Sequence, residues 1–258
     1  MTRKRSAAKR QLERGAGRER TASRAEELGR GRVQLRIRGR RRELRVDGTY
    51  ASSWTPGEIA TRSVWDALAV AVLALPPARR RRVLVLGLGA GSAARIVRAL
   101  APEARIVGVE FDPDVVAAAR RWFELDALGV EVVIGDARAV VARLCGPFDV
   151  VMEDVFVGRE ATLRKPAGFP LPVLEHARRL LAPGGVVACN TIAEGPAVRR
   201  ALAARFPRVV EIAVAEHDNR IYVGGGAPLA APALRRAVAA NDLLAPTLPR
   251  LRFRSSTR

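Results

Sequence analysis

Apolar and polar positions alternate in two periods along this chain, and the change of period marks its parts. Residues 33–38 ("VQLRIR") and 43–46 ("ELRV") alternate in period two on either side of "GRRR", which predicts a β-hairpin. "DGTY" (47–50) adds a turn and a third short strand. "TPGE" (55–58) reads as a helix start, with Thr55 as cap, Pro56 at the first helical position and Glu58 completing a capping box. That helix is expected to run to about Leu75, where "PP" stops it.

From Arg82 onward short apolar runs alternate with helical patterns. The runs 83–87, 105–110, 130–134, 148–153 and 186–191 predict strands, and 91–101, 113–124, 137–145, 170–182 and 196–206 predict helices. Near the end, 208–217 and 220–225 flank "DN" as an antiparallel hairpin. This predicts an α/β fold: a doubly wound, mainly parallel sheet of seven strands, behind a small N-terminal β-hairpin region. The expected division is a disordered basic tail over 1–31, a small β region over 32–54, the main domain over 55–228, and a C-terminal helix and tail over 229–258.

Composition narrows the classes. An apolar fraction of 48% can fill a core. No apolar run reaches the roughly 20 residues of a membrane span, and no secretory signal pattern opens the chain. Cys145 and Cys189 are too few for a disulfide scaffold or a zinc site. Both are expected as buried thiols of a cytoplasmic protein, with no metal and no membrane partner. The formal net charge of +19 is concentrated, since residues 1–42 hold 16 Lys/Arg against 4 Asp/Glu. Such a tail suits an electrostatic partner such as nucleic acid; its plain alternative is a solvated extension. Arginine outnumbers lysine 42 to 3, which points to compositional bias rather than selection at each site.

Candidate chemistry gathers after the first main strand. "GLGAG" (87–91) leaves a strand and enters a helix, and Gly87, Gly89 and Gly91 allow a tight turn against a ligand. Glu110 ends the next strand, where a carboxylate can accept both hydroxyls of a ribose. Asp112, just before Pro113, reads as a helix cap. Gly135-Asp136-Ala137 closes the third strand, and Glu153-Asp154 the fourth. By alternation Glu153 and Asp154 face opposite ways, and a salt bridge suits Glu153. His176 falls in an amphipathic helix. His217 sits at the hairpin turn, either as a turn residue or as pocket lining. Arg159, Arg164 and Lys165 lie in a loop that can act as a lid, binding an anion or simply solvated.

With "FDVVMED" (148–154) and "RRLLAPGGVVACN" (178–190) added, this series resembles the class I S-adenosylmethionine-dependent transferases, most of all their spermidine synthase-like branch. "ELRVDGTY" (43–50) is similar to the segment that precedes the nucleotide domain in that branch. The resemblance implies a co-substrate, S-adenosylmethionine or its decarboxylated form. It also implies a small-molecule amine acceptor, aminopropyl transfer in polyamine biosynthesis, and the possibility of a homodimer. It places Glu110 on the ribose, Asp136 and Ala137 at the adenine, Gly87 to Gly91 around the nucleoside, and Asp154 as the catalytic carboxylate. The chain departs from that branch where its glycine loop carries an aspartate, here Ala90, and where Ser-Ser-Asp-Pro follows the catalytic acid, here "VFVG" (155–158). The acid that methyltransferases often place two residues before the first glycine is Val85. A methyltransferase, directed at nucleic acid through the tail, and an inactive nucleoside-binding homologue therefore remain as alternatives.

Overall fold

A computed structural model describes residues 26–28, 31–159, 162–166, 169, 171–226 and 228–256 of the 258. The disorder expected of residues 1–25 lies outside the described residues. Glu26–Leu28, assigned to that tail from sequence, instead forms an edge strand, β1.

Four antiparallel strands make the N-terminal sheet in the order β1-β2-β3-β4: β1, then β2 (Val33–Arg38), β3 (Arg41–Val46) and β4 (Thr49–Trp54). Leu35 and Leu44 stand opposite each other on β2 and β3, and both are buried against the main domain. That is the inward half of the period-two pattern.

The helix expected from Thr55 does not form there. The Glu58 N–H donates to the Thr55 carbonyl over 2.8 Å, and Gly57 has φ +86°. Pro56 and Gly57 thus occupy the central positions of a type II turn, which competes with the capping box for the same residues. Helix α1 starts only at Val64 and runs to Ala69, continued by a 3₁₀ turn over Val70–Ala74. Asp66 is fully buried inside this apolar stretch, and four donors account for it. The Thr61 N–H and hydroxyl, the Arg62 N–H and the Thr247 hydroxyl all reach its carboxylate within 3.0 Å.

The main sheet has eight strands rather than seven. Their order is β12-β10-β11-β9-β8-β5-β6-β7. These are β5 (Arg82–Leu86), β6 (Arg105–Glu110), β7 (Val130–Ile134), β8 (Phe148–Glu153), β9 (Leu181–Thr191), β10 (Arg208–Val214), β11 (Arg220–Gly225) and β12 (Leu251–Ser256). β7, β6, β5, β8 and β9 run parallel, and β11 reverses against β9. The additional strand, β12, pairs antiparallel with β10 and sets Phe253 opposite Ile212. Its alternation lasts only four positions, Leu251 to Arg254, so the sequence pattern reads as tail.

Crossover helices cover both faces. α1, α2 (Ser92–Leu100), α3 (Pro113–Phe123) and α7 (Ala231–Ala239) share one core with the N-terminal sheet. α4 (Ala137–Arg143), α5 (Leu171–Leu180) and α6 (Gly195–Ala203) belong to the other. The central strand β5 divides by alternation, with Val83 and Val85 in the first core and Leu84 and Leu86 in the second. A strand buried on both faces reads as an unbroken apolar run. Each of these fully buried leucines contributes about 1.5–3 kcal/mol.

Cys189 is buried, but Cys145 is exposed. α4 ends at Arg143, two residues before its expected end, which leaves Cys145 in the following loop. Among the described residues no helix is long and apolar enough to cross a membrane.

Candidate functional site

The strand order decides which residues meet. Parallel strands place their C-terminal ends along one edge, and the chain changes winding direction between β5 and β8. A crevice opens at such a switch point. Reading across from β7 to β11, the edge presents Asp136, Glu110, Gly87, Asp154, Asn190 and Asn219. Backbone bonds stitch this edge together. The Gly87 N–H donates to Val109, the Gly135 N–H to Glu110 and the Asp154 N–H to Leu86, each within 2.9 Å. Strands lie about 4.8 Å apart, so Glu110 and Asp154, two strands apart, are about 10 Å from each other along the row. Both line one cavity of about 510 Å³, a volume suited to a small-molecule ligand.

At the Glu110 end the polar groups are already organised. Its Oε2 accepts from the Gly89 N–H at 2.8 Å, and its Oε1 accepts from the N–H groups of Phe111 at 2.8 Å and Asp112 at 3.1 Å. Burial raises the pKa of this carboxyl, and the three amides oppose that shift by favouring the anion. A carboxylate offers about four lone-pair sites, so one remains for a ligand. Asp136 caps α4 through the Arg138 N–H at 2.8 Å and pairs with the Arg138 guanidinium at 2.7 Å. That bonding holds its pKa below the usual carboxylate value. Asp136 and Ala137 both line the cavity. Asp112 caps α3, as its place before Pro113 predicts.

The glycines divide. Gly87 and Gly89 line the cavity, while Gly91 does not. A Cβ on Gly87 would lie 2.5 Å from the carbonyl oxygen of Asp154, and one on Gly89 would lie 2.6 Å from Oγ of Ser52 in β4. The loop is therefore clasped by the chain itself, with the Ala90 N–H donating to Ser52 Oγ at 2.8 Å. Gly91 turns instead toward Leu125 and Leu128 at the start of α2, which assigns it to packing rather than to ligand contact. Ala90 is buried beneath the N-terminal sheet.

Asp154 is held by neutral donors. Oδ1 accepts from Asn190 Nδ2 at 2.7 Å, and Oδ2 accepts from Trp65 Nε1 at 3.2 Å. Asn190 is itself fixed by Asn219, whose Nδ2 donates to Asn190 Oδ1 at 2.9 Å. Burial pushes the Asp154 pKa up to about 6, against the Asn190 bond and the nearby Lys165 charge. Trp65 packs edge-on to Tyr50, ring centroids 5.3 Å apart. His217 lines the cavity too, its Nε2 lying 3.3 Å from Ser63 Oγ. Burial, with Arg250 nearby, lowers its pKa and favours the neutral ring. His176 contacts Arg179 on α5, away from the cavity.

The loop after Asp154 departs from the expected lid. Lys165 is buried, and its Nζ lies 2.7 Å from Oε1 of Glu153, with both side chains 1% exposed. The salt bridge expected of Glu153 exists, but in the interior, and it removes Lys165 as an anion-binding group. Arg159 pairs with Asp47 at 3.3 Å, and Arg164 reaches the Thr162 carbonyl. Sequence reasoning did not single out Trp65, Asn190 or Asn219 as site residues. Asn190 had a signal, as the polar residue near the end of an apolar strand, and Trp65 had none beyond its type. Among the described residues, no group of three or more His, Cys, Asp or Glu is placed to hold a metal.

A methyltransferase domain model matches residues 83–185. The polyamine aminopropyltransferase of Chromobacterium violaceum is 31% identical over 145 residues, covering 54% of each chain. The chain spans about half the length, or less, of the curated relatives it matches. A probable spermidine synthase from Corynebacterium glutamicum superposes with a TM-score of 0.68 at 22% identity, covering 89% of this chain and 90% of that one. Human methyltransferase-like protein 13 in complex with SAH superposes with a TM-score of 0.55 at 26% identity, covering 73% of this chain and 91% of that one.

Proposed function

We propose that this chain, which has the class I S-adenosylmethionine-dependent transferase fold and resembles its spermidine synthase-like branch, transfers an aminopropyl group from decarboxylated S-adenosylmethionine to an amine. The observation that carries this reading is the placement of Asp154. It stands on the same strand-end row as Glu110, oriented by Trp65 and Asn190 and facing the shared cavity.

The residues present fit a sulfonium nucleoside. Glu110 keeps one acceptor position for the ribose, Gly89 brings backbone close to it, and Asp136 with Ala137 borders the base. When bound, such a donor supplies an electrophilic carbon and a neutral thioether leaving group. Little acid-base work is then needed beyond freeing the nucleophile. An alkylamine, with a pKa of about 10.4, arrives as an ammonium at neutral pH. Asp154 is largely ionised above about pH 6, and it pairs with that ammonium and takes its proton, which frees the nitrogen lone pair to form the N–C bond as the donor's C–S bond breaks. Trp65 and Asn190 hold both carboxylate oxygens still, so the nitrogen is presented in one direction. Positioning of this kind can supply several kcal/mol of the barrier, of the order of 7–11 kcal/mol at best.

A second reading, methyl transfer to the same amine, has specific support. Ala90 replaces the acid that the aminopropyl amine meets in the branch resembled, and the matching domain model is that of methyltransferases. Incubation of the full chain with an amine and each donor in turn, with products identified by mass, separates the two. Aminopropyl addition from the decarboxylated donor supports the first reading, and methyl addition from the carboxylated donor supports the second. Release of neither product with any amine overturns both.

A further inference from the structure

Asn219 stands one residue ahead of β11, and the reversal of that strand against β9 brings it to the edge that carries Asp154. A parallel β11 would start at the opposite end of the sheet. The ladder pairs Arg220 with Thr191 and Ile221 with Asn190, and the Thr191 hydroxyl donates to the Arg220 carbonyl at 2.8 Å. Asn219 is thereby held beside the Asn190 side chain, and its Nδ2 donates to Asn190 Oδ1 at 2.9 Å. Asn190 is buried, and its Nδ2 donates in turn to Asp154 Oδ1 at 2.7 Å.

An amide donates from its nitrogen and accepts at its oxygen, whereas an ionised carboxylate only accepts. Asn190 therefore serves the Asp154 anion with its nitrogen face alone. The shape of Asn190 does not select that face, since the amide turned by half a revolution fills the same space. The selection comes from its other end, where the Asn219 N–H requires an oxygen. Turning both amides round sets Asn190 Oδ1 against Asp154, an arrangement that only a protonated Asp154 satisfies. Trp65, the other partner of Asp154, donates in any orientation and needs no such director.

We propose that Asn219 is a positioning residue that, through the amide of Asn190, keeps an N–H rather than an oxygen against Asp154. The proposal rests on the reading of Asp154 as the base and adds a residue to that site. The charged groups nearby act differently. Lys165 favours the Asp154 anion and Glu153 disfavours it, and the two pair with each other at 2.7 Å. Around Asn219, Arg220 Nη1 donates to the Asn219 carbonyl at 2.9 Å and Arg220 Nε lies 3.8 Å from Glu211. Asp218 precedes it in the turn, and His217 is biased toward its neutral form. These charges work through space, while Asn219 works through bonds that choose a face.

A ¹³C NMR titration of the carboxyl groups tests this without turnover, the Asp154 signal being assigned by its loss in Asp154→Asn. In the near-isosteric Asn219→Asp the new carboxylate accepts the Asn190 N–H and turns the Asn190 oxygen toward Asp154. The Asp154 titration is expected to rise by at least about one pH unit, a tenfold tighter hold on the proton. Asn219→Leu adds no charge and is expected to raise it by a smaller amount. With Asp154 as the base, kcat/KM of Asn219→Asp with an amine is expected to fall about fivefold at pH 6 and to stay unchanged at pH 9. An Asp154 titration unmoved in Asn219→Leu overturns the proposal, since charge alone then accounts for any rise in Asn219→Asp. A titration that moves in both variants while the pH profile of kcat/KM stays put supports the proposal and overturns Asp154 as the base.

Discussion

Trp65 Nε1 donates to Asp154 Oδ2 over 3.2 Å, joining α1 to the end of β8 across 89 residues of chain. Asn190 completes the grip from β9. Asp154 is thus fixed from both sides by groups that carry no charge, and it keeps its own charge for whatever enters the cavity.

Replacement of Asp154 by Asn keeps the shape and removes the base. Turnover is expected to fall at least about 100-fold, the usual contribution of a positioned general base. Nucleoside affinity, measured by calorimetry, is expected to stay within about twofold. Comparable loss of both would show that Asp154 serves the fold instead.

The pH dependence follows from the same residue. Asp154 titrates at about 6, and only its ionised form accepts a proton. The acidic limb of kcat/KM is therefore expected near pH 6, with the rate rising as pH increases through it. The Asn190 bond opposes the upward shift, so Asn190→Leu is expected to move the limb to higher pH. For stability the sign runs the other way. The native state holds this proton more tightly than the unfolded chain, where Asp titrates near about 3.9. The site's contribution is present below that value and lost as pH rises through about 6. Asp154→Asn is then expected to raise Tm at pH 8 more than at pH 4.

The two cavity glycines differ in consequence. Gly87→Ala drives a Cβ against the backbone of Asp154 at 2.5 Å with φ +82°, and neither partner can yield. A loss of more than about 2 kcal/mol in chemical denaturation is expected. Gly89→Ala, strained at φ +54°, meets the Ser52 hydroxyl at 2.6 Å and the Ala51 carbonyl oxygen at 3.4 Å, so the double variant with Ser52→Ala is expected to recover only part of its loss.

Removal of Lys165 leaves Glu153 buried without a counter-charge. Lys165→Met is expected to cost about 3–5 kcal/mol, and Glu153→Gln/Lys165→Met to recover most of it.

What could be read from sequence follows from the range of the interactions involved. The run Val83–Glu110 was legible because both faces of β5 are buried and the glycine turn is local. The turn at Pro56-Gly57 was misread because one set of residues satisfies two local motifs. β12 was missed because four alternating positions at a chain end give a weak signal, and its support comes from β10, some forty residues earlier. Lys165 was misread as a surface cation because its partner, Glu153, is set by how the loop folds back. Trp65 and Asn190 reach Asp154 through tertiary packing alone, which no spacing records.

Calorimetric titration of the full chain with the two sulfonium nucleosides tests the central claim most directly, in the unaltered chain and in Glu110→Ala. Saturable binding is expected, tighter for the decarboxylated form and weakened at least about tenfold in the variant. Absence of heat with both nucleosides, or equal affinity in the variant, would contradict the account.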